Sequence, residues 1–278
     1  PKANRSTKKA VKQQLKQLQN SKKSNKEIVA IQTAILDIVE AHPRRPRCAY
    51  FGEMLQMDAS VHVWFGDSKT QLHIAVDDAT GCIVGAYFDH QETLNGYYHV
   101  LDQILINYGI PYQFFTDNRT VFEYKKKNAP SVEKDTFTQF GYACKQLGID
   151  IQTSSVPQAK GRVERMFGTL QSRLPIELKL ADVSSIEEAN EFLNSYIKKF
   201  NKQFALPIDS IKSVFEIQPD TETINLTLAV LSSRTIDNGS CLKYNNQYYL
   251  PVDSQGLAVH YRKGTVAMVI KCFDGNLY

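Results

Sequence analysis

The sequence predicts an α/β fold in which helices sandwich a five-stranded sheet, with a basic helical arm before it and a small β-barrel after it. Three observations carry this. Between residues 48 and 203, short apolar runs alternate with longer stretches of 3–4 periodicity, in the order strand, strand, strand, helix, strand, helix, strand and then helices. Residues 1–47 hold 12 Lys or Arg against 3 Asp or Glu, a balance of +9 in a chain of net charge +4, leaving −5 for the remainder. From residue 232, period-two alternation returns with turn signals between the runs.

The arm comes first. Residues 6–20 are rich in Lys and Gln, with Val11, Leu15 and Leu18 on a stripe too narrow to fold alone. After a polar break at 21–25, a second helix is expected over 26–41, with Ile28, Ile31, Ile35 and Ile38 on its apolar face. In residues 42–47 (HPRRPR) two prolines forbid helix and leave an extended cationic linker. A basic arm on a mildly acidic body points to a polyanion, because phosphate contacts are made mainly by Lys and Arg. The alternatives are a solvated helix face for the arm and a solvated hinge for the linker.

The sheet is read from runs at 54–57, 71–76, 82–88, 112–116 and 149–153. The first ends in Asp58, the second in a turn at 77–81 (DDATG) and the fourth in Asp117-Asn118. A helix over 93–108 puts Leu94, Tyr97, Tyr98, Leu101, Ile104, Leu105 and Tyr108 at 3–4 spacing, and Gly109 and Pro111 close it. Residues 123–135, with three consecutive lysines, read as a surface insertion before a helix over 136–147. Residues 157–174 read as a loop feeding a helix, with Val163, Met166, Phe167, Leu170 and Leu174 on one face. Ser185 and Glu188 form a capping box for a helix to about 203. Residues 204–231 are a partly structured connector. Residues 242–250 form a hairpin turning at Asn245-Asn246, and 265–273 another strand. That last hairpin would be completed beyond Tyr278, and the chain starts at Pro1 rather than Met, so a piece of a longer protein is expected.

No apolar run approaches membrane-spanning length, and no signal-peptide pattern is present. Cys48, Cys82, Cys144, Cys241 and Cys272 are odd in number, scattered and without zinc-ligand spacing. They read as small buried apolar residues in a reducing compartment. The six histidines are similarly dispersed and read as structural.

Asp58, Asp117 and Glu164 come from two strand ends and a helix start. If the strands are neighbours and the helix crosses near their ends, three carboxylates converge and repel. A divalent cation removes that penalty, and an all-oxygen donor set selects Mg²⁺ or Mn²⁺. Two such ions roughly 3.5–4 Å apart suit in-line phosphoryl displacement. Taken singly, Asp58 reads equally as a turn initiator, Asp117 as a cap and Glu164 as half of a solvated helix pair. Asp77 and Asp78 also follow a strand, and with Gly81 just beyond they read as turn residues.

Four segments, in order, resemble the catalytic core of bacterial insertion-sequence transposases of the DDE superfamily, which is retroviral-integrase-like with an RNase H-type fold. They are 52–58 (GEMLQMD), 75–80 (AVDDAT), 108–111 leading into 115–118 (YGIP…FTDN) and 157–165 (PQAKGRVER), and the resemblance spans about residues 50–203. It is strongest to a group with an Arg-Arg-Pro-Arg linker before the core and a β-barrel after it. The resemblance implies an RNase H-like mixed sheet and metal ligation by Asp58, Asp117 and Glu164. It also implies cleavage at transposon ends, followed by attack of the 3′-hydroxyl on target DNA. Lys160 matches a position that contacts end DNA. Gln158, Arg162, Arg165, Arg119, Arg44, Arg45 and Arg47 are candidate DNA contacts with it. Partners would be terminal-inverted-repeat DNA, target DNA and a second copy or more of the chain, in a bacterial cytoplasm at the nucleoid.

Two departures stand out. Arg119 replaces a glycine common after the Asp-Asn pair, and 47 positions separate Asp117 from Glu164, more than in retroviral integrases. The insertion at 123–135 accounts for that length. A nuclease of the same fold without strand transfer, or a non-catalytic DNA-binding relic, would present much the same sequence.

Overall fold

The five apolar runs form one sheet in the computed structural model, which describes residues 46–117, 131–154 and 161–278. The expected arm helices, with Arg44 and Arg45, lie outside the described residues. The strands are β1 (Leu55–His62), β2 (Thr70–Asp77), β3 (Ile83–Asp89), β4 (Gln113–Asp117) and β5 (Asp150–Ser154), in the order β3-β2-β1-β4-β5. β1, β2 and β3 pair antiparallel; β1–β4 and β4–β5 pair parallel. The parallel half needs crossovers, which α1 (Leu94–Asn107) and α2 (Ser131–Gln146) supply. Helices α3 (Gly161–Leu180) and α4 (Ile186–Phe204) follow. A mixed five-stranded sheet flanked by helices is the architecture that the resemblance implies.

Two apolar cores lie on the two faces of the sheet. One joins Leu55 and Met57 of β1 and Phe114 of β4 to α1 and α2; the other joins Leu72, Ile74 and Val76 of β2 to α3 and α4. β2 is therefore buried on both sides, at every residue but Gln71. Strand β3 is covered along its backbone by side-chain amides. Asn190 and Asn201 of α4 each bond both the N–H and the C=O of one residue, Phe88 and Ile83 respectively, and Gln103 of α1 does the same at Ala86. An edge whose polar groups are so occupied cannot template pairing with another chain.

Several boundaries differ from expectation, each for a packing reason. β1 runs on to His62, because β2 pairs with it along its whole length, from Leu55↔Asp77 to His62↔Thr70. Asp58 is thus mid-strand rather than at a strand end. Helix α3 continues through Pro175 to Leu180, because Leu174 and Leu178 are both fully buried on its inner face and hold the helix across a residue that lacks an N–H. Helix α2 begins at Ser131, inside the stretch expected to be an insertion, of which 123–130 lies outside the described residues. The capping box at Ser185 and Glu188 is present.

Residues 204–231 are stitched to the sheet unit rather than left as a tether. Phe51 pairs with the 212–214 backbone, Ile110 with Glu216, and the Gln218 side chain donates to the Ile106 carbonyl. Helix α5 (Thr221–Thr227) sends Ile224 into the core that holds α1 and α2. Beyond it, β6 (Val230–Thr235) pairs with β9 (Val266–Lys271), and β7 (Leu242–Tyr244) with β8 (Gln247–Tyr249). The β7–β8 turn has positive φ at both Asn245 and Asn246, the primed geometry that their side chains tolerate. The β-barrel expected here takes the form of two separate two-stranded ladders among the described residues. Residues 48–278 make one compact unit. No described helix is long and apolar enough to cross a membrane.

All five cysteines are free. Cys82, Cys144 and Cys272 are buried as expected, whereas Cys48 and Cys241 are only partly so. Burial, with Asp77 nearby, pushes the Cys82 thiol up to about 12, so it is inert.

His73 gives the fold a pH dependence. Its ring is fully buried on β2, with Nδ1 3.3 Å from the Tyr87 carbonyl and Nε2 accepting the Thr93 N–H at 3.3 Å. The proton therefore sits on Nδ1, and a second would face an N–H donor. Burial lowers the pKa to about 4 from 6.5, against the raising influence of the Tyr87 carbonyl and Asp89. A pKa lower in the folded than in the unfolded chain stabilises the fold above pH 6.5 and loses that contribution as pH falls toward 4. Urea unfolding at pH 7.5 and pH 5 should differ by about 2 kcal/mol from this group. His73→Gln should remove most of that difference.

Candidate active site

Strand alternation decides which residues of β1 meet which helices. Leu55 and Met57 point into the core of α1 and α2, so Gln56, Asp58 and Ser60 take the opposite face. Two hydrogen bonds locate α3 over that face. The Val163 N–H donates to Gln56 Oε1 at 3.2 Å, and Gln171 Nε2 donates to Ser60 Oγ at 3.0 Å. Asp58 lies between these two points. Its Oδ1 accepts the Ala59 N–H at 3.0 Å, and the residue is part-exposed.

The β1–β4 register matches Leu55 with Phe114 and Gln56 with Phe115. Two residues further along both strands, the same register brings Asp117 level with Asp58. Phe114 packs with α1 and α2, so Phe115 and Asp117 take the face of Gln56 and Asp58. Glu164 lies in the first turn of α3 and is exposed. Gln171, seven residues on, shares its edge of the helix, and that edge reaches β1 through Ser60. Extended by two residues, the register aligns the two aspartates on neighbouring strands, and the glutamate's helix edge bonds to β1. The three do not close into a ligand cluster: among the described residues no group of three or more His, Cys, Asp or Glu could hold a metal ion. Their donor chemistry, all carboxylate oxygen, fits a hard cation.

The cationic candidates divide. Gln158, Lys160 and Arg119 lie outside the described residues; Arg47 and Arg165 are exposed. Arg162 has an interior partner. Its Nε is 3.2 Å from Asp78 Oδ1, and Asp78 is wholly buried, so the guanidinium serves as the counter-charge of an interior carboxylate.

In sequence Asp77 and Asp78 read as turn residues, and Gln56 carries no signal of its own. The two aspartates do sit at the β2–β3 turn, but their side chains are interior. Asp77 accepts the Gly52 N–H at 3.0 Å and the Thr80 N–H and hydroxyl, each at 2.7 Å. Burial pushes its carboxyl above the usual range, against these hydrogen bonds. Asp78 accepts from Gln56 Nε2 at 2.8 Å and from the Cys48 N–H at 2.9 Å. The available signal was the spacing: Gln56 lies two before Asp58, on one strand face, and Arg162 two before Glu164.

A mixed sheet bearing two acids on neighbouring parallel strands, with a third on the helix above, is the arrangement implied by the resemblance to DDE transposases. Over its full 278 residues the chain is 51% identical to the transposase for insertion sequence IS1202 of Streptococcus pneumoniae, covering 59% of that protein. It is 36% identical over 184 residues to the putative transposase y4bF of Sinorhizobium fredii, a match spanning 64% of this chain and 40% of that protein. The chain is therefore similar along its entire length to one insertion-sequence transposase and over 64% of it to a second transposase, and it spans about half the length of these two relatives. No family model matches it. Among solved structures, similarity extends to a chain of a simian T-cell lymphotropic virus intasome complexed with a PP2A regulatory subunit. That match has 16% identity and TM-score 0.47, covering 92% of this chain and 88% of that one. The HTLV-2 integrase catalytic core domain in complex with magnesium gives 21% identity and TM-score 0.40, covering 55% of this chain and 89% of that one.

Proposed function

We propose that this chain catalyses metal-dependent cleavage at transposon ends and transfer of the resulting 3′-hydroxyls into target DNA. The observation that carries the reading is the β1–β4 register: Gln56 pairs with Phe115, two residues before Asp58 and Asp117 respectively, and α3 bonds to Gln56 on that face. Similarity to a transposase over the whole chain supports it. Asp58, Asp117 and Glu164 would hold Mg²⁺ or Mn²⁺. When bound, such ions activate the attacking oxygen and stabilise the leaving one.

In the first step a water oxygen attacks the phosphorus at the transposon end, and the 3′-oxygen leaves to become the free hydroxyl. In the second, that hydroxyl attacks a target phosphodiester, releasing the target strand's own 3′-oxygen. Neither step needs a covalent protein–DNA bond, so the protein's work is positioning and charge. Lys160, Gln158, Arg165 and Arg119, with Arg44, Arg45 and Arg47 of the linker, would grip phosphates. Such contacts give affinity and salt dependence rather than base readout. Residues 1–47 would act as a basic helical arm, and 232–278 as a small barrel module aiding DNA binding or assembly. At least two copies would bring two ends together, in a bacterial cytoplasm at the nucleoid.

The test is incubation of the protein with Mg²⁺, paired transposon-end duplexes and a target plasmid, followed by sequencing of products. Joined end–target molecules are the expected result. Nicked ends without joining would mark a nuclease, and bound but uncut ends a non-catalytic DNA-binding protein.

A further inference from the structure

We infer that Gln56, Asp78 and Arg162 form a buried clamp that holds the first turn of α3, and with it Glu164, in place over Asp58. The inference rests on the catalytic reading of the three acids and adds three positioning residues to it. The first N–H groups of a helix have no partner within the helix, and that of Val163 is buried. Gln56, 1% exposed, takes this N–H on its Oε1, while its Nε2 donates to Asp78 Oδ1 at 2.8 Å. Because a carboxylate only accepts, the amide must turn its nitrogen to Asp78 and its oxygen to the helix. The same Asp78 oxygen lies 3.2 Å from Arg162 Nε, on the second residue of α3, and the other Asp78 oxygen accepts the Cys48 N–H.

One buried carboxylate thus joins residue 48, strand β1, the β2–β3 turn and α3. Arg162 and Val163 are the two residues immediately before Glu164, so the clamp fixes the rotation and height of the turn that presents it. Gln56 sits two residues before Asp58 on the same strand face, which refers Glu164 to Asp58 through a rigid strand rather than a loop. Buried ion pairs are often no more stabilising than apolar packing of the same volume. What the pair does supply is a defined position for the helix start, and displacement of a catalytic group by about 1 Å is enough to slow a reaction roughly 100-fold.

Gln56→Met keeps the volume and removes both hydrogen bonds; a thermal melt establishes that it folds. If it does not, Gln56→Asn, which shortens the same amide by one methylene, is measured in its place. Amide hydrogen exchange of the full chain, without metal or DNA, should be about tenfold faster in residues 161–167 and unchanged in 171–180. In end cleavage, the half-saturating Mg²⁺ concentration should rise about fivefold or more, with the Kd for end DNA unchanged. Unchanged exchange at 161–167, or faster exchange with an unshifted Mg²⁺ dependence, overturns the clamp. If instead Glu164→Gln cleaves like the wild type, the catalytic reading itself fails and the inference falls with it. The two failures are distinguishable, because the exchange measurement does not depend on cleavage.

Discussion

Asp58→Asn abolishes Mg²⁺-dependent cleavage of end DNA, by at least about 10³-fold, while leaving DNA affinity within roughly twofold; this is the largest effect expected of any single substitution. Asn keeps a side-chain oxygen that can take the Ala59 N–H, so the strand geometry around it is preserved. What it loses is a negative charge at the centre of the acid pair on β1 and β4. A loss of that size is on the order of 4 kcal/mol of transition-state stabilisation, within what metal ligation supplies. DNA affinity should persist because phosphate binding depends on cationic groups. Cleavage assays and gel shifts on the same preparation check both halves. Cleavage within tenfold of the wild type would remove Asp58 from the metal site.

The second large effect is on stability. Asp78→Ala leaves Arg162, the Gln56 amide and the Cys48 N–H without the carboxylate that joins them. Removing one partner of a buried ion pair costs about 3–5 kcal/mol. For a unit of this size that is a fall in Tm on the order of 10 °C. The double substitution Asp78→Leu with Arg162→Met removes both charges and should recover most of the loss. Differential scanning calorimetry of the single and double variants measures the coupling directly. Additive losses would show that the two groups do not act as a pair. A stable double variant that cleaves poorly would separate the clamp's positioning role from its contribution to stability.

Much of the fold was legible because its elements announce themselves locally. The stripe from Leu94 to Leu105 is buried as its spacing predicts, the Ser185–Glu188 box caps α4, and Asn245-Asn246 turns the β7–β8 hairpin. Errors fell where a neighbour, not the segment, sets the boundary. β1 outruns its apolar residues because β2 pairs with Ser60 and His62, and α3 passes Pro175 because Leu178 is buried beyond it. Residues 204–231 gave little periodicity because they are held by single bridges and side-chain bonds to the sheet unit.

The candidate site divides in the same way. Asp58, Asp117 and Glu164 stand out as candidates because each lies in a short ordered motif, and the β1–β4 register, extended by two residues, aligns the first two. Gln56, Asp78 and Arg162 were missed or misassigned because a polar residue that will be buried looks, in sequence, like one that will be solvated. Only its partners distinguish the two cases, and here they lie 22 and 107 positions away for Gln56.

By itself the sequence determined the α/β class, the order of strands and helices, the three acids proposed as ligands and the likeness to insertion-sequence transposases, because each is written in contiguous residues. Which face Asp58 takes, its alignment with Asp117, and the turning of Arg162 inward to Asp78 were decided by tertiary structure. Those depend on strand register and on the need of a buried charge for a counter-charge, and neither exists until distant segments pack.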